Sequence, residues 1–158
     1  MKLFLWKKKL LYLTFLFFSS LVFSQSADFI IHMLETEKIT YGQACYFSAI
    51  CQELVPEDTN EIDAINAIAK RGIIFQNVQP DDFINYKQTA KIFAQIWNIK
   101  GGLFYRLTKR DARYAFKQFK NDGVISQSAD PSMIPSGVDL LNMFTIGEKL
   151  YVSKEGNE

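Results

Sequence analysis

The chain of 158 residues is 48% hydrophobic and 15% aromatic, which suits one packed domain and excludes an intrinsically disordered chain. Its 18 basic and 17 acidic residues are unevenly spread. Residues 25–99 hold 10 acidic and 5 basic side chains, residues 100–122 hold 2 and 7, and residues 123–158 hold 5 and 2, so a basic island lies between acidic segments.

The first nine residues carry Lys2, Lys7, Lys8 and Lys9, and Leu10 to Phe23 is an uncharged, apolar run of 14 residues. This pattern predicts a secretory signal over residues 1–24, cut after Ser24, with Val22 and Ser24 as the small residues of the cleavage site. The apolar run would rise only about 21 Å as a helix, short of the roughly 30 Å hydrocarbon core, which argues against the alternative of an uncleaved anchor. The first cysteine is Cys45, so no cysteine near the cut can take a lipid. Residues 25–158 are expected to form a single domain, exported to the periplasm or cell surface. Removal of four lysines leaves it with 14 basic and 17 acidic residues.

Five stretches pair a capping residue with an acid or amide three positions later: Thr40 with Gln43, Asn60 with Asp63, Asn85 with Gln88, Thr108 with Asp111 and Ser136 with Asp139. Each predicts a helix start, because the first side chain satisfies an orphan N–H and the other can reach back to the cap. Before them, Phe29, Ile30, Met33 and Leu34 have helical spacing and predict a short helix to about Glu37. The helix from Thr40 must stop before Pro56. The next, Asn60 to Arg71, buries Ile65, Ile68, Ala69 and Ile62, and Gly72 ends it in the left-handed conformation. An extended stub, Ile73-Ile74-Phe75, precedes a turn at Gln79-Pro80-Asp81-Asp82.

The fourth helix, Tyr86 to Ile99, turns Ala90, Ile92, Phe93, Ile96 and Trp97 inward. Leu103 to Leu107 reads as one helical turn. A fifth long helix is expected from Thr108 to Gly123, followed by the stub Val124-Ile125. A last helix, Gly137 to Ile146, buries Leu140, Leu141, Met143 and Phe144. Leu150-Tyr151-Val152 reads as a short strand or an extended tail, and Lys154 to Glu158 as frayed. Ile68, Ile73, Phe93, Ile96, Trp97, Phe116 and Phe119 are expected in one core. Cys45 and Cys51, six residues apart in one helix, lie about 240° apart around its axis and about 9 Å along it. They cannot form a disulfide, and both read as buried small hydrophobes.

Self-similarity organises these elements. Ile39, Tyr41 and Gln43 recur as Ile84, Tyr86 and Gln88 at an offset of 45, while Ala64-Ile65, Ile68 and Gly72-Ile73-Ile74 recur as Ala115-Phe116, Phe119 and Gly123-Val124-Ile125 at 51. The difference of six calls for a loop insertion. The unit is helix, Gly stop, apolar stub, Pro/Asp turn, cap, helix, and a unit of this size must stack on its copies to bury its apolar face. The expected fold is mostly α: a compact helical bundle of helix–loop–helix repeats with short extended stubs.

This grammar resembles the S-layer-homology (SLH) repeat over roughly Ile39 to Phe144, with Asn60 to Ile99 and Thr108 to Ile146 as two units and residues 26–54 as a degenerate first. The resemblance implies pseudo-threefold stacking and an anchoring role at the cell envelope. The family's Thr-Arg-Ala-Glu motif is matched only by Thr40-Tyr41-Gly42-Gln43, Asn85-Tyr86-Lys87-Gln88 and Ser136-Gly137-Val138-Asp139. The arginine is absent from all three, so no polysaccharide site is carried over.

Chemistry-bearing motifs are sparse. The single histidine, His32, sits in an apolar stretch, and two cysteines leave no zinc cluster or His-based nucleophile. Gly101-Gly102 lacks the remainder of a phosphate loop. The acidic pairs Glu57-Asp58, Glu61-Asp63 and Asp81-Asp82 fit loops and the first turns of helices, where the helix dipole favours them. Arg110, Arg113, Lys117 and Lys120 recur at helical spacing as one stripe, beside an apolar side of Ala112, Ala115, Phe116 and Phe119. The expected function is a non-catalytic envelope module using this stripe to bind a protein partner or an anionic wall or membrane component, with no cofactor, metal or nucleic acid. The alternative is an enzyme acting on cell-wall carbohydrate through the paired carboxylates.

Overall fold

The computed structural model describes residues 28–74, 77–108 and 110–152. The expected signal segment and its cleavage site, Phe75, and the tail Lys154 to Glu158 lie outside the described residues. The chain forms α1 (28–35), α2 (Tyr41–Cys51), α3 (Glu61–Lys70), α4 (Tyr86–Ile96), α5 (Leu103–Leu107), α6 (Ala112–Asn121) and α7 (Gly137–Gly147), continued by a π-helical turn, Glu148–Val152. Among the described residues there is no strand, and the one isolated bridge joins Thr40 to Phe83. The fold is thus the expected helical bundle.

The caps explain where the helices begin. Thr40, Asn60, Asn85 and Ser136 all have extended backbones, and each side chain accepts a hydrogen bond from the N–H three residues on. Thr40 with Gln43 and Ser136 with Asp139 complete reciprocal capping boxes. Thr108 does not cap: its hydroxyl turns back to the Tyr105 carbonyl at the end of α5. The cap of α6 is Asp111, which accepts from the Arg113 N–H and stands 51 residues after Asn60, in keeping with the repeat.

The stops share one geometry. Glu53, Gly72, Asn98 and Gly123 have positive φ of 52°, 71°, 48° and 76°. Each N–H donates to the carbonyl three residues back. At three of the four the following amide reaches further: Leu54 to Ala49, Ile99 to Ala94 and Val124 to Phe119. This is the Schellman arrangement, in which the residue after the left-handed position is an apolar plug for the helix end. The expected stubs at Ile73 and Val124 are those plugs, and both are buried. α4 therefore ends at Ile96 rather than Ile99.

The starts of α2, α4 and α7 and the segments leading into them are joined by backbone hydrogen bonds in a ring. Tyr41 N–H and Gly42 N–H donate to the carbonyls of Asp82 and Pro80, just ahead of α4. Tyr86 and Lys87 do the same to Met133 and Pro131, ahead of α7, and Gly137 donates to Thr36, ahead of α2. Orphan amides at each helix start are thus satisfied by the loop leading to the next. Inside this ring the residues preceding the caps, Ile39, Ile84 and Pro135, are fully buried. The connection from α2 to α3 has nine residues and that from α4 to α6 has fifteen; the additional six accommodate α5.

Aromatic side chains fill the middle. Phe144 of α7 packs edge-on against Phe47 of α2 at 4.9 Å and against Phe93 of α4 at 5.9 Å, while Trp97 stacks toward Phe93, Phe119 and Tyr151. Ile68, Ile73, Phe93, Trp97, Phe116 and Phe119 are buried as expected, and Ile96 is half-buried against them. Ile62 is 59% exposed, contrary to expectation, because the face of α3 that meets the core is set by Ala64, Ile65, Ile68 and Ala69. The segment at Leu150 is neither strand nor extended tail. It is the π-helical turn, whose Tyr151 lies on Phe119 and donates its hydroxyl to Asp122.

Candidate functional site

The four residues of the expected basic stripe have separate fates. Arg113 and Lys117 lie one turn apart on the exposed face of α6. Lys117 holds its ammonium 5.4 Å from the centre of the Tyr114 ring. Arg110 is exposed but precedes the helix, with φ of 64°, and its guanidinium donates to the Asn98 side chain at 2.9 Å. Helical spacing fails for it because α6 starts at Ala112. Lys120 is half-buried, donates to the Ala129 carbonyl at 2.9 Å and lies over the Phe116 ring. It clamps the loop after α6, and its charge adds to the Ser132 hydrogen bonds that hold the Asp130 carboxyl below its ordinary range.

α5 adds what the spacing did not show. Leu103 and Leu107 are 67% and 69% exposed, with Arg106 exposed beside them, while Tyr105 turns inward and is 2% exposed. The Tyr105 hydroxyl has no hydrogen-bond partner among the described residues. Between α5 and α6 is a recess of 260 Å³ lined by Gly102, Leu103, Tyr105, Tyr114, Lys117 and Gln118. The Gln118 side chain closes one end by accepting from the Gly102 N–H at 3.1 Å. The signal for this feature was the six-residue mismatch between repeat offsets, which marks an insertion but not which side chains it exposes.

A second polar cluster surrounds the first turn of α2. Glu61 lies so close to Gly42 that a Cβ there would stand 2.0 Å from its carboxylate oxygen. Burial first, and the neighbouring Asp81 charge second, raise the Glu61 pKa, against a lowering contribution from His32. The His32 ring is 3.4 Å from the Gln43 side-chain nitrogen. Glu57 and Asp63 line two other recesses, beside Leu54 and Val55. Cys45 is buried, with burial and then Glu61 pushing its thiol up to about 12; Cys51, expected to be buried, is exposed at the end of α2, and both are free. Among the described residues no helix is long and apolar enough to cross a membrane, and no group of three His, Cys, Asp or Glu side chains could hold a metal ion.

No protein-family model matches the chain, and no curated protein matches it.

Proposed function

We propose that the chain is an exported, non-catalytic module of the cell envelope, periplasmic or at the cell surface, that docks onto an anionic partner through the outer face of α6. The observation that carries this is the exposed pair Arg113 and Lys117, within a segment holding 7 basic and 2 acidic residues in an otherwise acidic chain. A cationic face on an acidic body orients the molecule toward negative surfaces and speeds encounter with them. The ring of three capped helix starts is what supports a repeat of the S-layer-homology kind. Glu61 has a structural place that fits this reading, packed against Gly42 in the first turn of α2.

The test is binding of wild type and Arg113→Glu/Lys117→Glu to envelope fractions at low and physiological ionic strength, with circular dichroism as a check on folding. Wild-type binding should weaken with added salt and the double variant should bind less. Equal, salt-insensitive binding by the two would remove this reading.

A further inference from the structure

We infer that α5 and the adjoining face of α6 form a docking surface for a lipid bilayer bearing anionic headgroups. The inference rests on the proposed anionic partner and names its kind. α5 is the insertion that distinguishes the α4–α6 connection from its shorter counterpart, α2–α3. Tyr105 anchors the turn in the core, while Leu103 and Leu107, four apart, and Arg106 beside them are exposed. Both leucines are about two-thirds exposed, although Leu103 also borders the recess against α6.

Leu103 and Leu107 are the two most exposed of the large apolar side chains described, and contact with water or a polysaccharide would leave their apolar area uncovered. A rigid protein partner would need matching pockets for both. A bilayer interface yields to their shape, and its acyl region takes their apolar area from water. The surrounding charge suits the same occupant, since Arg106, Arg110, Arg113 and Lys117 are all exposed on α5, α6 or the link between them. Basic side chains flanking a short apolar wedge gain from anionic lipid headgroups within about a Debye length. Neither part suffices alone, because two leucines bury little area and four cations without them would bind any polyanion.

The experiment uses the full chain with two kinds of vesicle, phosphatidylcholine alone and phosphatidylcholine with phosphatidylglycerol. Residues 1–27, whose Lys2, Lys7, Lys8 and Lys9 also favour anionic headgroups, are the same in every variant, so the comparison that decides is between variants on the same anionic vesicles. Binding to the anionic vesicles should exceed that to phosphatidylcholine. Leu103→Ser/Leu107→Ser should lower the anionic-vesicle affinity by about tenfold or more, the loss expected when two leucines no longer leave water. Arg113→Glu/Lys117→Glu should lower it as well, and Leu103→Phe/Leu107→Phe, which keeps the apolar wedge, should retain it.

If the serine pair binds anionic vesicles like wild type while the glutamate pair does not, the bilayer inference falls and the wider anionic-partner reading stands. If neither pair changes binding to vesicles or to envelope fractions, both fall. Loss with the serine pair alone, or equal binding to the two kinds of vesicle, also overturns the inference, since the wedge would then act without the charge.

Discussion

The Ile84 N–H donates to the Ile39 carbonyl at 3.2 Å, and Ile39 N–H donates in turn to Pro135 at 3.0 Å, which places three equivalent residues in one buried ring. The third bond cannot form, because proline has no N–H. At the join between Pro135 and Ile39, where the bond does form, the backbone of α1 also approaches the start of α7. A Cβ on Gly137 would lie 1.8 Å from the Met33 carbonyl oxygen, whereas one on Gly42 meets the movable end of Glu61 at 2.0 Å. Gly137→Ala should therefore destabilise by about 1–3 kcal/mol or more, and Gly42→Ala by clearly less. Thermal melts followed by circular dichroism would decide it, and equal melting temperatures for the two variants would contradict this account of the ring.

Phe93 and Ile62 test the core on neighbouring helices. Phe93 is 1% exposed, with Trp97 and Phe144 rings 5.1 and 5.9 Å away. Phe93→Ala should cost about 3–5 kcal/mol through lost burial and the cavity left behind. Ile62→Ala, on the outer side of α3, should change stability by no more than about 0.5 kcal/mol. Denaturant titration of both variants gives the comparison, and similar midpoints would mean that Phe93 is not in the core.

The elements set by local chemistry were legible in the sequence. Thr40, Asn60, Asn85 and Ser136 cap where their side chains predict, and Gly72 and Gly123 stop helices where only glycine takes positive φ without cost. Two further stops escaped notice because Glu53 and Asn98 occupy the same conformation without being glycine. Thr108 misled because its spacing to Asp111 imitates a capping box, although Asp111 is itself the cap. The candidate site was half legible. Charge composition located the basic segment, but the fates of Arg110 and Lys120 depend on Asn98 and Ala129, residues that only the fold brings to them.

Glu53 offers a direct measure of the strain in those stops. A left-handed conformation costs an ordinary residue roughly 1–2 kcal/mol relative to the right-handed one, and glycine adopts it freely. The Glu53 N–H bonds to Ile50 and the side chain is exposed, so removing it sacrifices little. Glu53→Gly should raise stability by about 0.5–1 kcal/mol, offset in part by the freedom glycine adds to the unfolded chain. A variant that melts below wild type would show that Glu53 contributes through its side chain.

One pair of side chains gives the protein opposite responses at the two ends of the pH scale. Tyr86, at the start of α4, and Asp139, in the first turn of α7, perturb each other's titration. Burial opposes the Asp139 charge, but hydrogen bonds from the Ser136 backbone and hydroxyl and from Tyr86 outweigh it and lower the pKa. Its contribution is therefore present above the unfolded value of about 3.9 and is lost as pH falls through the lower folded value. Tyr86 shifts the other way, raised first by burial and then by the Asp139 charge and hydrogen bond. Its contribution is complete below the unfolded value of about 10 and declines as pH rises toward the folded one. Denaturant titrations from pH 2 to 11 should give a plateau with losses at both ends. Tyr86→Phe should be less stable on the plateau and show a smaller loss above pH 10, while Asp139→Asn should show a smaller loss below pH 4. Tyr41 and Tyr151 are also raised by burial, so some alkaline loss remains in Tyr86→Phe. Unchanged profiles in both variants would mean that the pair does not link α4 to α7 in solution.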